Sequence, residues 1–148
     1  MRIGNTTQID MGTIRAVISF VRPNGISKFD IHVKNCSGLL AGSAYHEGCG
    51  YHGTATPLVV VRVGESKLFP ARPIESRRAG YLPTPWMGSR VEALVYVMAH
   101  ELRHLWQAKV KSGWRVWGAR GQFSERDADA YAIRKLREWR KSNMGGAQ

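Results

Sequence analysis

Between residues 7 and 21, Met11, Ile14, Val17, Ile18 and Val21 recur at intervals of three and four, which gathers them onto one face of a helix. Thr7 stands where an N-cap would and Pro23 lies just past the end, so the pattern predicts an amphipathic helix over residues 7–21. The period then changes. Phe29, Ile31 and Val33 alternate with Asp30, His32 and Lys34, the repeat of two expected of a strand with one buried face. Leu58-Val59-Val60-Val61-Arg62-Val63 predicts a second strand, dense in β-branched residues. Residues 39–46 form a weaker candidate strand, because Gly42 and Ala44 offer little side chain to pack. Residues 64–88 hold four of the six prolines and three glycines, which predicts an irregular connection.

The second half reads as helical. Ser89-Arg90-Val91-Glu92 has the form of a capping box, and Leu94, Val95, Val97, Met98, Leu102, Leu105 and Trp106 follow as a broad apolar face. This predicts a mostly buried helix running to about Lys111, before Gly113. Ser124-Glu125-Arg126-Asp127 repeats the capping pattern with Asp in place of Glu. It predicts a helix to about Trp139 that lends Ala128, Ala132, Ile133 and Leu136 to a core. The expected architecture is α+β, a single domain over residues 1–148. It comprises an N-terminal helix, a small β-sheet, a long buried helix and one further helix.

Composition narrows this picture. With 148 residues and 43% hydrophobic positions the chain can bury a core without a metal or disulfide staple, so any metal must be argued from chemistry. No apolar run approaches the roughly 18 residues of a membrane span, and the segment Met1–Thr7 is not that of a signal peptide. The expected compartment is cytoplasmic, with Cys36 and Cys49 as free thiols. The formal charge of +11 favours polyanionic partners such as nucleic acid. Only Arg134, Lys135, Arg137, Arg140 and Lys141 crowd together, and a solvated helix face explains them at least as well as a phosphate contact surface.

The buried helix carries His100-Glu101-Leu102-Arg103-His104, an HExxH sequence. At 100° per residue the two histidines share one face, one turn apart, so both imidazoles can reach a single ion at about 2.0–2.1 Å. Glu101 projects beside them, where it can take a proton from the attacking water. Zinc needs a third protein ligand, and no His or Cys follows His104. Zincins whose third ligand is a downstream histidine, such as the metzincins and SprT-like proteins, are thereby disfavoured. Instead Glu125-Arg126-Asp127-Ala128-Asp129 follows, an ExxAD sequence whose ends share a helix face. Glu125 can be the third ligand, and Asp129 can accept the remaining ring N–H of a ligand histidine. Ala128 leaves room for the two helices to approach.

HExxH followed by ExxAD resembles the gluzincin metallopeptidases, in particular the small minigluzincins and the ImmA/IrrE-like peptidases. The ExxAD wording is also similar to that of the membrane-bound HtpX group. The resemblance covers about residues 89–140. It implies a zincin-like fold and one zinc ion held by His100, His104 and Glu125. Glu101 would be general base and then acid, Asp129 would support a ligand, and a protein or peptide would be hydrolysed. It also implies an upstream edge strand, either Leu58–Val63 or residues 39–46, that pairs with extended peptide. For an oxyanion stabiliser the sequence offers Tyr131, Tyr81 or an arginine.

Other readings stay open. His46, Cys49 and His52, with Cys36 upstream, could hold a second metal, although the spacing matches no strong pattern. His32 belongs on the polar side of its strand. The segment from Ser112 to Gly121 mixes Trp114 and Trp117 with Arg115 and Arg120, which suits packing, base stacking or a groove wall. The rivals to a peptidase are a basic nucleic-acid-binding domain and a zinc-binding pseudo-peptidase without activity.

Overall fold

The parallel pairing of three strands organises the chain. In the computed structural model, which describes residues 1–45, 56–73, 82–110 and 122–142, β1 (Ile3–Asn5), β2 (Asp30–Asn35) and β4 (Leu58–Val63) run parallel. β3 (Leu40–Tyr45) lies antiparallel to β4, giving the order β1-β2-β4-β3. Helices α1 (Met11–Val21), α2 (Arg90–Lys109) and α3 (Gln122–Ser142) complete the described elements, so the architecture is α+β. No described helix is long and apolar enough to cross a membrane.

The alternation in β2 and β4 has the expected consequence. Ile31, Val33, Val59, Val61 and Val63 are fully buried, whereas His32 and Arg62 are exposed on the opposite face. Helix α2 lies over β3 and β4 and packs most extensively against α3. Ala128 and Ala132 are fully buried on α3, and their small side chains suit that close approach. Ile133, expected in the core, is only partly buried at its margin.

The helix ends differ from expectation in instructive ways. Asp10, not Thr7, caps α1 by accepting the Thr13 N–H at 3.2 Å. The Thr7 hydroxyl instead bonds Asn5 Oδ1 at 2.6 Å and accepts the Ile9 N–H, which ties the entry turn to β1. Ser89 caps α2 through the Glu92 N–H, as the capping box requires. The reciprocal half is shifted by one residue. Glu92 accepts the Gly88 N–H and binds the Arg140 guanidinium at 2.6 Å, linking the start of α2 to the end of α3. Helix α2 stops at Lys109, and α3 begins at Gln122, two residues before Ser124. Ser124 is therefore inside the helix rather than its cap, and its hydroxyl is used elsewhere.

β1 escaped the hydropathy pattern because it is three residues long with only Ile3 as an apolar side chain. Within residues 64–88, Ser66–Leu68 form a 3-10 turn, and Ala71 bridges to Met87. Cys36 is a free thiol. His46, Cys49 and His52, the segment from Ser112 to Gly121 and Tyr81 lie outside the described residues.

Candidate metal centre

Helical periodicity places His100 and His104 on one face of α2, and packing then brings Glu125 of α3 between them. Glu125 Oε2 is 3.2 Å from His100 Nε2, Glu125 Oε1 is 3.3 Å from His104 Nε2, and the two Nε2 atoms are 3.1 Å apart. Four ligands around a zinc ion at about 2.0–2.1 Å would have edges of about 3.3–3.4 Å. The three observed separations are close to that figure, so the donor set fits a small divalent cation.

The outer nitrogens decide which lone pairs are free. His100 Nδ1 lies 3.0 Å from Asp129 Oδ1, as the ExxAD spacing suggested. Asp129 is held in turn by the Leu82 N–H at 3.0 Å and the Tyr96 hydroxyl at 3.4 Å. His104 Nδ1 lies 2.9 Å from Gln107 Oε1, a partner the motif reading missed. Gln107 is 4% exposed, and every hydrogen bond of its amide is satisfied. Nε2 donates to the Ser124 carbonyl at 2.8 Å and to Asp127 Oδ2 at 2.9 Å, so Oε1 must face His104. The Ser124 hydroxyl also donates to Oε1 at 2.8 Å. An oxygen in that position requires a proton on His104 Nδ1 and leaves the lone pair on Nε2. Arg103 completes the support, with Nε 2.7 Å and a terminal nitrogen 3.1 Å from the two Asp127 oxygens, while its guanidinium stacks 3.7 Å above the Trp106 ring. The signal for Gln107 was its place three residues after His104 on the same helix. Tyr96 stands four residues before His100 by the same rule.

The electrostatics follow from this crowding. Burial opposes a charged His100, but hydrogen bonds to Asp129 and Glu125 outweigh it and hold the imidazole up at about 10. Burial likewise opposes charge on His104, whose basicity is nevertheless raised by Glu125. Glu125 resists burial because both histidines bond it, and its carboxyl is held well below the usual range. Two protonated imidazoles with facing Nε2 atoms at 3.1 Å would repel each other. One divalent cation in their place satisfies both lone pairs and the carboxylate.

Glu101 sits beside this triangle. Its Oε1 is 3.7 Å from His100 Nε2, and the residue is 6% exposed. Burial raises its proton affinity, which suits a group that must take up a proton near neutral pH. Strand β3 passes directly over it. A Cβ on Gly42 would lie 2.8 Å from Glu101 Cγ and 2.9 Å from Val97 Cγ2, so any side chain at this crossing would have to push Glu101 or Val97 aside. The missing side chain that weakened the strand pattern is thus the space occupied by Glu101.

β3 is an edge of the four-stranded sheet, whereas β4 lies between β2 and β3. Leu58–Val63 therefore cannot offer a free strand edge, which corrects one of the two sequence expectations. The Gly64 N–H bonds the Leu39 carbonyl at 2.8 Å. Alternation along an antiparallel ladder then turns the backbone groups of Leu40, Gly42 and Ala44 away from β4, to the side where no described strand lies. Tyr131, offered as an oxyanion stabiliser, faces elsewhere. Its hydroxyl donates to the Val21 carbonyl at 2.5 Å, at the end of α1.

Searches against protein-family models, curated proteins and solved structures found no match for this chain.

Proposed function

We propose that this chain is a zinc metallopeptidase of gluzincin type with a zincin-like fold, hydrolysing bonds in a protein or peptide substrate. The observation that carries the reading is the near-tetrahedral spacing of His100, His104 and Glu125, with the buried Glu101 carboxylate beside it. Zinc held there would supply Lewis acidity that polarises a carbonyl and acidifies water. His100, His104 and Glu125 would hold it, and Asp129 and Gln107 would keep the two rings in their binding tautomers.

Glu101 takes the proton from the attacking water and returns it to the leaving amine, a role that suits a desolvated carboxylate. Strand β3 supports a peptide as the substrate class. Its edge away from β4, unpaired among the described residues, presents the backbone groups of Leu40, Gly42 and Ala44, and Gly42 lies against Glu101. An extended chain added antiparallel to β3 would bring a backbone carbonyl past the histidines with little regard for its side chains.

Metal analysis and one variant test the reading. Purified protein is expected to hold about one zinc per chain, and Glu101→Gln to keep that zinc while losing at least about 100-fold in cleavage of an unstructured polypeptide. Undiminished cleavage by Glu101→Gln would overturn the assignment of the base, and protein that binds no zinc would overturn the whole reading.

A further inference from the structure

The peptidase reading leaves the positive charge of the chain without a use. Helix α3 sorts its charges by direction. Its acidic residues Glu125 and Asp129 turn inward to His100 and His104, Asp127 is bound by Arg103, and Glu138 pairs with Lys135. Two of its cations are also engaged internally. Arg140 binds Glu92 and the Trp86 carbonyl, and Lys135 lies over the Phe20 ring.

The remaining cations, Arg126, Arg134, Arg137 and Lys141, are all exposed, although the Arg134 guanidinium also lies 5.3 Å from the Tyr131 ring centroid. With exposed Ala130 they occupy an arc of about 80° along about 22 Å of helix. Among the described residues none of the four is paired with a carboxylate, and the exposed Glu138 lies off the arc. Folding has therefore divided the basic residues of α3 into inward members and a single-sign outward stripe.

We propose that this stripe is a docking surface for the phosphate backbone of double-stranded DNA. Three of the four cations are arginines, whose planar donors match phosphate oxygens in pairs. They are carried on one continuous helix packed against α2, a fixed spacing suited to a duplex, and the small Ala130 lets the helix axis come close. The apolar face of α3 is spent on the core, through Ala128, Ala132 and Leu136, so α3 cannot lie in a bilayer as an amphipathic helix does. Phe123 is the one large apolar side chain exposed on α3, and by helical spacing it lies in line with the stripe, one turn before Arg126. The stripe lies about 120° round the helix from Glu125 and Asp129, so the proposal does not depend on the metal centre being catalytic.

Fluorescence anisotropy with a labelled 20-base-pair duplex of mixed sequence tests it on the full chain. Four phosphate contacts predict a log–log salt slope of about −3.6, an affinity loss of about 150-fold between 50 and 200 mM salt. Arg126→Gln/Arg134→Gln/Arg137→Gln/Lys141→Gln is expected to lose nearly all of that dependence. Arg15→Gln/Arg22→Gln/Lys28→Gln/Arg62→Gln removes the same charge from other exposed positions and is expected to keep the slope within about one. Arg137→Gln alone, should the fourfold variant misfold, is expected to lower the slope by about one. The proposal is overturned if the stripe variant binds like the parent, if both fourfold variants weaken equally, or if no duplex binding is found. It is also overturned if phosphatidylserine vesicles or polyglutamate bind at the stripe more tightly than the duplex.

Discussion

Replacing Gln107 with leucine removes the amide that ties α2 to α3 behind His104. Gln107 makes four hydrogen bonds, to His104, the Ser124 hydroxyl, the Ser124 carbonyl and Asp127. Asp127 retains two bonds from Arg103, so the groups left short are chiefly the Ser124 hydroxyl and His104 Nδ1. At about 1–3 kcal/mol for each of the two orphaned buried groups, the loss of stability lies between about 2 and 6 kcal/mol. Ser124 Oγ is 3.4 Å from His104 Nδ1, close enough for each to satisfy part of the other's need, which favours the lower figure. Zinc affinity is expected to fall about 10–100-fold, because the ring is no longer held in the tautomer that frees Nε2. A chelator competition titration at neutral pH reads the affinity, and thermal melting of the metal-free protein reads the stability. Gln107→Glu separates the two effects. Its carboxylate still accepts from His104, so zinc affinity should stay within about threefold, while repulsion from Asp127 lowers the melting temperature. Should Gln107→Leu melt earlier yet bind zinc as the parent does, the residue is structural only and the tautomer argument fails.

Three further outcomes follow from the geometry. In metal-free protein His100 is held at about 10 against an ordinary 6.5, despite burial, by Asp129 and Glu125. Its contribution is therefore complete below pH 6.5 and lost as pH rises through 10, so the chelated protein should melt progressively earlier across that window while zinc affinity rises; melting that climbs with pH there would contradict it. Gly42→Ala places a methyl 2.8 Å from Glu101 Cγ and should cost about 1–3 kcal/mol in urea unfolding and depress peptide cleavage, with zinc content retained. A variant equal to the parent in both measurements would show that β3 yields easily. Asp129→Asn puts an amide where one carboxylate accepts from His100, Leu82 and Tyr96, and should weaken zinc at least about tenfold. Unchanged zinc affinity would mean that Asp129 does not orient His100.

The periods of the chain determined a good deal unaided. A repeat of two made β2 and β4 recognisable, and a repeat near 3.6 placed His100 beside His104 and Glu125 above Asp129. These are relations within one segment, where backbone geometry alone decides which side chains share a face. Relations between segments came only with packing. Both candidate strands were equally plausible edges until the order β1-β2-β4-β3 enclosed β4 and left β3 at the end of the described sheet. Tyr131 and Tyr96 are both tyrosines near the motifs, yet one bonds Val21 and the other Asp129. Gly42 looked like a poor strand residue because its environment, the Glu101 side chain about 60 residues away in the chain, is invisible to a local pattern. Likewise the basic crowd at the end of α3 resolved into inward and outward members only when Glu92 and Phe20 were brought against it. Hydrophobic spacing specifies how each element turns, whereas the contacts between elements depend on how side-chain volumes interlock across the core, and those pairings have no period to read.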